Sequence, residues 1–187
     1  MPSIRILDAN VEFDFMIGRG ASVAMDHHAL RQGLLDMAAK VNSVAGWSPE
    51  ERRAFQSMKK IVFFEGIVLV NGHEMERSCC DEDDAIFYWD STEFNENTDA
   101  DVRASTFFHD CWHVVQFKDA GRRYYRDEDE RRQRERDAVA RQIDVARKLE
   151  CSDHEIGHLI KFAASDDLVD DRFRQGTSIG HRRIARV

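Results

Sequence analysis

The reading of the chain turns on Thr106 to Phe117, TFFHDCWHVVQF. Two histidines, His109 and His113, stand four residues apart in an otherwise apolar run, and Asp110 follows the first. Four residues of α-helix sweep about 400°, so both imidazoles leave one face, one turn apart. Ser105, Thr106 and Gln116 share that side. Ala104, Phe107, Phe108, Cys111, Val114 and Val115 fill the opposite arc, widened by Trp112 and Phe117. A helix apolar around most of its circumference is buried, and its narrow polar strip then needs something to face. Two imidazoles on one face can hold one tetrahedral metal ion at about 2.0–2.1 Å each. The alternative is an amphipathic helix with two solvated histidines.

Outward from this stretch, the chain divides into a mixed first half and a helical second half. Residues 3–15 alternate, with Ile4, Ile6, Val11, Phe13 and Phe15 set against Arg5, Glu12 and Asp14, which is a strand period. The GRG at 18–20 is punctuation and not a phosphate loop, because no Gly-Lys-Ser/Thr follows. Apolar residues from Leu30 to Val44 keep helical spacing, with Gly46 just past the end. Ser48-Pro49-Glu50-Glu51 opens a second helix as a capping box with proline in the first turn. IVFFEGIVLV (61–70) and AIFYW (85–89) read as strands, separated by Asn71-Gly72 and the polar stretch 76–84. Helices are expected over roughly 100–119, 128–150 and from Ser152 to about Ala164. The fold class is therefore α+β. No repeat or linker divides residues 1–187, so one domain is expected, with about 175–187 a loose basic tail.

Composition narrows the function. The 187 residues carry a net charge of -8, which argues against general binding to nucleic acid or to an acidic membrane. The arginine-rich 122–141 is interleaved with acids and is no basic patch. No apolar run reaches the length of a membrane span. The N-terminal MPSIRILDANVEFDF lacks a basic region followed by an apolar block, so no signal peptide is expected. The four cysteines include adjacent Cys79-Cys80, a poor disulfide geometry, and no C-x-x-C. Reduced thiols in a cytoplasmic setting are the expectation, with Cys79-Cys80 in a turn.

A site built on a helical histidine pair needs a third donor from elsewhere. With Glu135 taken as angular zero, Ala138, Val139, Gln142, Ala146 and Leu149 fall within about 60° of it, and Asp137, Arg141, Asp144 and Lys148 fall on the far side, toward water. An acid at the centre of a buried stripe is costly unless it is paired or binds a cation. Glu135 is therefore the candidate third ligand; otherwise it precedes the buried part and frays. Two imidazoles and a carboxylate suit Zn²⁺, and other divalent transition metals accept the same set.

These residues carry a family resemblance. TFFHDCWHVVQF resembles the metal-binding H-E-x-x-H helix of the zincin metallopeptidases, and ERDA (135–138) resembles the E-x-x-A of the gluzincin branch, whose third zinc ligand is a glutamate on the following helix. The resemblance covers about residues 85–165. It implies a zincin-like fold, with a small mixed sheet beside the active-site helix and AIFYW as a candidate strand of that sheet. It also implies a zinc-dependent peptidase acting on a peptide or protein, with His109, His113 and Glu135 on the metal. Asp110 stands where the family has glutamate as general base. Aspartate has the same chemistry on a shorter arm, and general-base catalysis needs hydrogen-bond reach. A shifted backbone restoring reach, weak activity, and metal binding without hydrolysis are all open. The alternative function is an inactive zincin-fold module for metal binding or protein interaction.

A second pair lies in SDHEIGHLI, where His154-Glu155-Ile156-Gly157-His158 is a literal H-E-x-x-H. Here Ile156, Leu159, Ile160 and Ala163 form only a narrow stripe, and His154 and His158 lie opposite it among Lys161 and Ser165. His154 falls in the first turn after the Ser152 cap. Asp166, Asp167, Asp170 and His181 are the remaining downstream donors, and nothing organises them. This face is expected to be solvated, with metal binding at His154 and His158 as the lesser alternative.

Overall fold

A computed structural model describes residues 2–21, 25–97 and 99–165. Strands β1 (Ser3–Ile6) and β2 (Ala9–Ile17) form an antiparallel hairpin. Helices α1 (His27–Ser43) and α2 (Pro49–Phe55) then cross over to β3 (Lys60–Glu65), which pairs parallel with β2. The α2 capping box forms as the sequence predicts: Ser48 Oγ accepts from Glu51 N–H, and the Glu51 carboxylate accepts from Ser48 N–H.

The apolar run 61–70 is two strands. β3 ends at Glu65, and β4 (Val68–Val70) turns at Asn71-Gly72 into β5 (His73–Met75), a separate antiparallel hairpin. Gly66 makes the break with a φ of 74°, and a Cβ there would lie 2.8 Å from Ala21 N and from Arg19 O. The left-handed backbone and the close approach both require glycine. β6 (Cys79–Asp81) and β7 (Ile86–Asp90) follow as an antiparallel pair, and β7 also lies parallel to β3. The sheet order is β1-β2-β3-β7-β6. Cys79-Cys80 is thus an edge strand and not the turn that its polar neighbours suggested; both thiols are buried and reduced.

Both faces of the central strands are covered, which is why IVFF carries no polar alternation. Ile61, Phe63, Phe87 and Trp89 face the helices, and Val62, Phe64 and Tyr88 pack with Val68, Val70 and Met75 of the small hairpin.

The remaining elements are helical: α3 (Ser91–Glu96), α4 (Ala100–Asp119), α5 (Glu128–Lys148) and α6 (Asp153–Ala164). α4 is the spine, in contact with α1, α2, α5 and β6. Its apolar arc is buried as predicted, with Phe107, Phe108, Cys111 and Val114 inaccessible. Gly121 ends it in the left-handed region, and Arg122 N–H reaches the Phe117 carbonyl at 2.9 Å. The short return, capped by Asp127 on Glu130 N–H, lays α5 along α4. That turn places Glu135 beside the histidines. Among the described residues no helix is long and apolar enough to cross a membrane. The basic tail and Asp166, Asp167, Asp170 and His181 lie outside the described residues.

Candidate metal centre

The three predicted ligands converge. His109 Nε2 and His113 Nε2 are 3.0 Å apart, and Glu135 Oε2 lies 3.5 Å from the first and 3.4 Å from the second. For a tetrahedral ion with bonds of about 2.0–2.1 Å, donors stand roughly 3.3–3.4 Å apart, so the triangle needs only small adjustments to close on one ion. Among the described residues this is the one group of three His, Cys, Asp or Glu side chains whose donor atoms lie within 4.8 Å of one another.

Hydrogen bonds fix the chemistry of one candidate ligand. The Gln116 amide nitrogen donates to the Arg134 carbonyl at 2.9 Å and to Asp137 Oδ2 at 3.0 Å. Its oxygen must therefore be the atom facing His113 Nδ1, at 3.0 Å. An oxygen accepts, so His113 Nδ1 carries the proton, and in the neutral ring Nε2 offers its lone pair to the Glu135 side. Trp112 Nε1 also donates to Asp137 Oδ2, at 2.6 Å, and the Arg141 guanidinium lies 4.8 Å over the Trp112 ring. Asp137, expected to point to water, is instead half-buried and anchors this relay. Helical arithmetic places it opposite Glu135, but the indole of Trp112 and the Gln116 amide reach it across the α4–α5 seam. His109 Nδ1 is buried and finds no partner among the described residues.

The charges of this group are strongly coupled. Burial pulls the His113 imidazole down, but Glu135, Asp110 and Glu82 outweigh it and hold it up at about 9. Burial pushes Glu135 up, yet His113 and His109 hold it well below the carboxylate range. Asp110 is raised to about 6, mainly by burial, against the pull of both histidines. A divalent ion in place of the His113 proton would satisfy the same carboxylate and both imidazoles.

A cleft of about 400 Å³ opens over this group. Cys79 and Cys80 of the edge strand and Phe87 and Trp89 of β7 form one wall, and Leu159 and Phe162 of α6 contribute to another. Polar residues that the sequence did not single out for the site also line it, among them Glu82, Tyr125 and Arg131. Glu82, in the turn between β6 and β7, is buried, and burial raises it to about 7. Its signal was hidden in the acid run DEDD (81–84), which reads as a solvated turn.

The second histidine pair behaves as expected for a surface. His154 and His158 are exposed, their Nε2 atoms 3.2 Å apart, with no third donor assembled among the described residues. Ile160, placed in the core stripe by periodicity, is 46% exposed, and α6 has no fully buried residue.

Comparison with family models, with curated proteins and with solved structures returned no match. The functional reading therefore rests on the site.

Proposed function

We propose that this protein is a zinc-dependent, zincin-like hydrolase of peptide bonds, with His109, His113 and Glu135 as metal ligands and Asp110 as general base. The observation that carries the reading is the convergence of Nε2, Nε2 and Oε2 at 3.0–3.5 Å on the floor of a cleft. Three protein donors with one side facing the cleft match the donor count of catalytic zinc sites, whereas structural sites close with four. The mixed sheet beside α4, with edge strand β6 against that helix, is the setting the zincin reading expects.

A zinc ion there would act as Lewis acid and lower the pKa of water in its open position. The chain's own contributions follow from the geometry. Gln116 orients His113 and fixes its tautomer through Nδ1. Asp110 lines the cleft, and its carboxylate would accept and return a proton there. Phe87, Trp89 and Phe162 exclude water along the walls.

Metal content by mass spectrometry on tag-free protein, beside the H109A/H113A double variant, tests the reading first. One zinc per chain, lost in the variant, supports it, and no metal in either after zinc is supplied sinks it. The short Asp110 arm favours a second reading, a metal-binding module without hydrolysis. Asp110→Glu separates the two: activity created by that change, absent from the natural protein, selects the module.

A further inference from the structure

Glu82 is neither a proposed metal ligand nor the proposed base, and its position is unusual. The side chain is 5% exposed, it faces the cleft, and its Oε2 finds no hydrogen-bond partner among the described residues. A buried, unpartnered carboxyl oxygen costs free energy unless something enters to meet it. The groups acting on it electrostatically are His113, Asp81, Glu135 and Arg134, whereas those acting on Asp110 are His109, His113, Glu135 and Glu93. Both carboxyls thus lie close enough to His113 and Glu135 to feel their charge.

The rest of the lining agrees in sign. Five carboxyl side chains, Glu82, Glu93, Glu96, Asp110 and Glu135, line the cleft against one guanidinium, Arg131. A divalent ion offsets two charges and Arg131 one, so the lining stays net negative when its carboxyls are ionised. Between them lie the apolar surfaces of Phe87, Trp89, Leu159 and Phe162. Such a cleft fits an aliphatic stem ending in a cation.

We propose that the cleft selects substrates bearing a primary ammonium group on an aliphatic stem, and that Glu82 is the group that receives the ammonium. The substrate class would be peptides presenting either a free α-amine or a lysine-like side chain near the bond cut. This rests on the metal-hydrolase reading, and the test separates the two. Hexanohydroxamic acid, which binds an open zinc site through its head group, is compared by calorimetry with its 2-amino and 6-amino derivatives on the zinc-loaded full chain. At least one amino compound should bind wild type about tenfold tighter or more than the parent, the worth of a charge-assisted hydrogen bond. In E82Q that gain should vanish while parent binding changes less than about threefold. No gain on wild type, or a gain kept by a folded E82Q, overturns the proposal and leaves the metal reading standing. The wild-type arm decides alone should E82Q fail to fold. A second equivalent of zinc lost in E82Q would assign Glu82 to a metal and also overturn it. Failure of the parent to bind zinc-loaded wild type would remove the open-site reading and this proposal with it.

Discussion

Gln116→Leu is the sharpest probe of whether the three donors form a built metal site. The Gln116 amide makes three contacts at once: its oxygen accepts from His113 Nδ1–H at 3.0 Å, and its nitrogen donates to Arg134 O and Asp137 Oδ2 at 2.9 and 3.0 Å. Leucine fills a similar volume and makes none of them. Outer-shell partners of a ligating histidine are worth about 10–100-fold in metal affinity, or roughly 1.4–2.7 kcal/mol. Stability falls separately, because His113 Nδ1–H and the Arg134 carbonyl lose a partner; at about 1–3 kcal/mol per buried group, and with Gln116 only half-buried, about 2 kcal/mol is expected for the metal-stripped chain. Gln116→Glu splits the two effects. It keeps an acceptor for Nδ1–H, so zinc affinity should stay within about threefold, while its carboxylate beside Asp137 lowers stability. Competition against a chromophoric chelator gives the affinities, and urea unfolding of stripped protein gives the stabilities. Zinc affinity of Q116L within about threefold of wild type, with binding still abolished in H109A/H113A, would refute the orienting role deduced for Gln116.

The stripped protein should lose stability as pH rises. His113 is raised from its ordinary 6.5 to about 9, so its contribution is complete below the unfolded value and disappears as pH climbs through about 9; urea midpoints with chelator should fall across that window, and zinc should abolish the fall. Asp110→Asn should abolish hydrolysis and leave zinc content unchanged, read by peptide-cleavage assay and metal analysis on one sample. Phe108→Ala should cost about 3–5 kcal/mol in urea unfolding, because the ring is fully buried against Phe55 and Trp112.

Periodicity reached as far as a helix dictates its own surroundings. The burial of α4 and the inward turn of Glu135 follow from residues within a few turns of each other, and both were legible. So was the contrast between the histidine pairs, since apolar flanks bury one helix and their absence leaves the other on the surface. Glu82 was beyond reach for a different reason. Which acid of DEDD turns inward depends on the pairing of Cys79 with Tyr88 and Asp81 with Ile86, and on Ala85 taking a left-handed φ of 59°. Strand β6 spans only three residues, too few to show a period. Asp137 failed for a third reason: angular position on one helix says nothing about how far a neighbour's indole and amide extend over it.

Three of the carboxyls lining this cleft, Glu82, Asp110 and Glu135, come from three distant places, the β6–β7 turn, α4 and α5, so folding must bring like charges together in a buried space. Glu135 is balanced by the His113 proton, while Asp110 and Glu82 are raised to about 6 and about 7 by that burial. An arrangement that is costly without a cation is strongly linked to one: an ion present at about a thousand times its dissociation constant stabilises the folded state by about 4.1 kcal/mol. The same carboxyls that make the stripped cleft unfavourable would then bind the ion, carry the proton and receive a cationic ligand. Hydrophobic residues of similar volume would fill the space at lower cost, which makes the buried charge here an argument for function over packing.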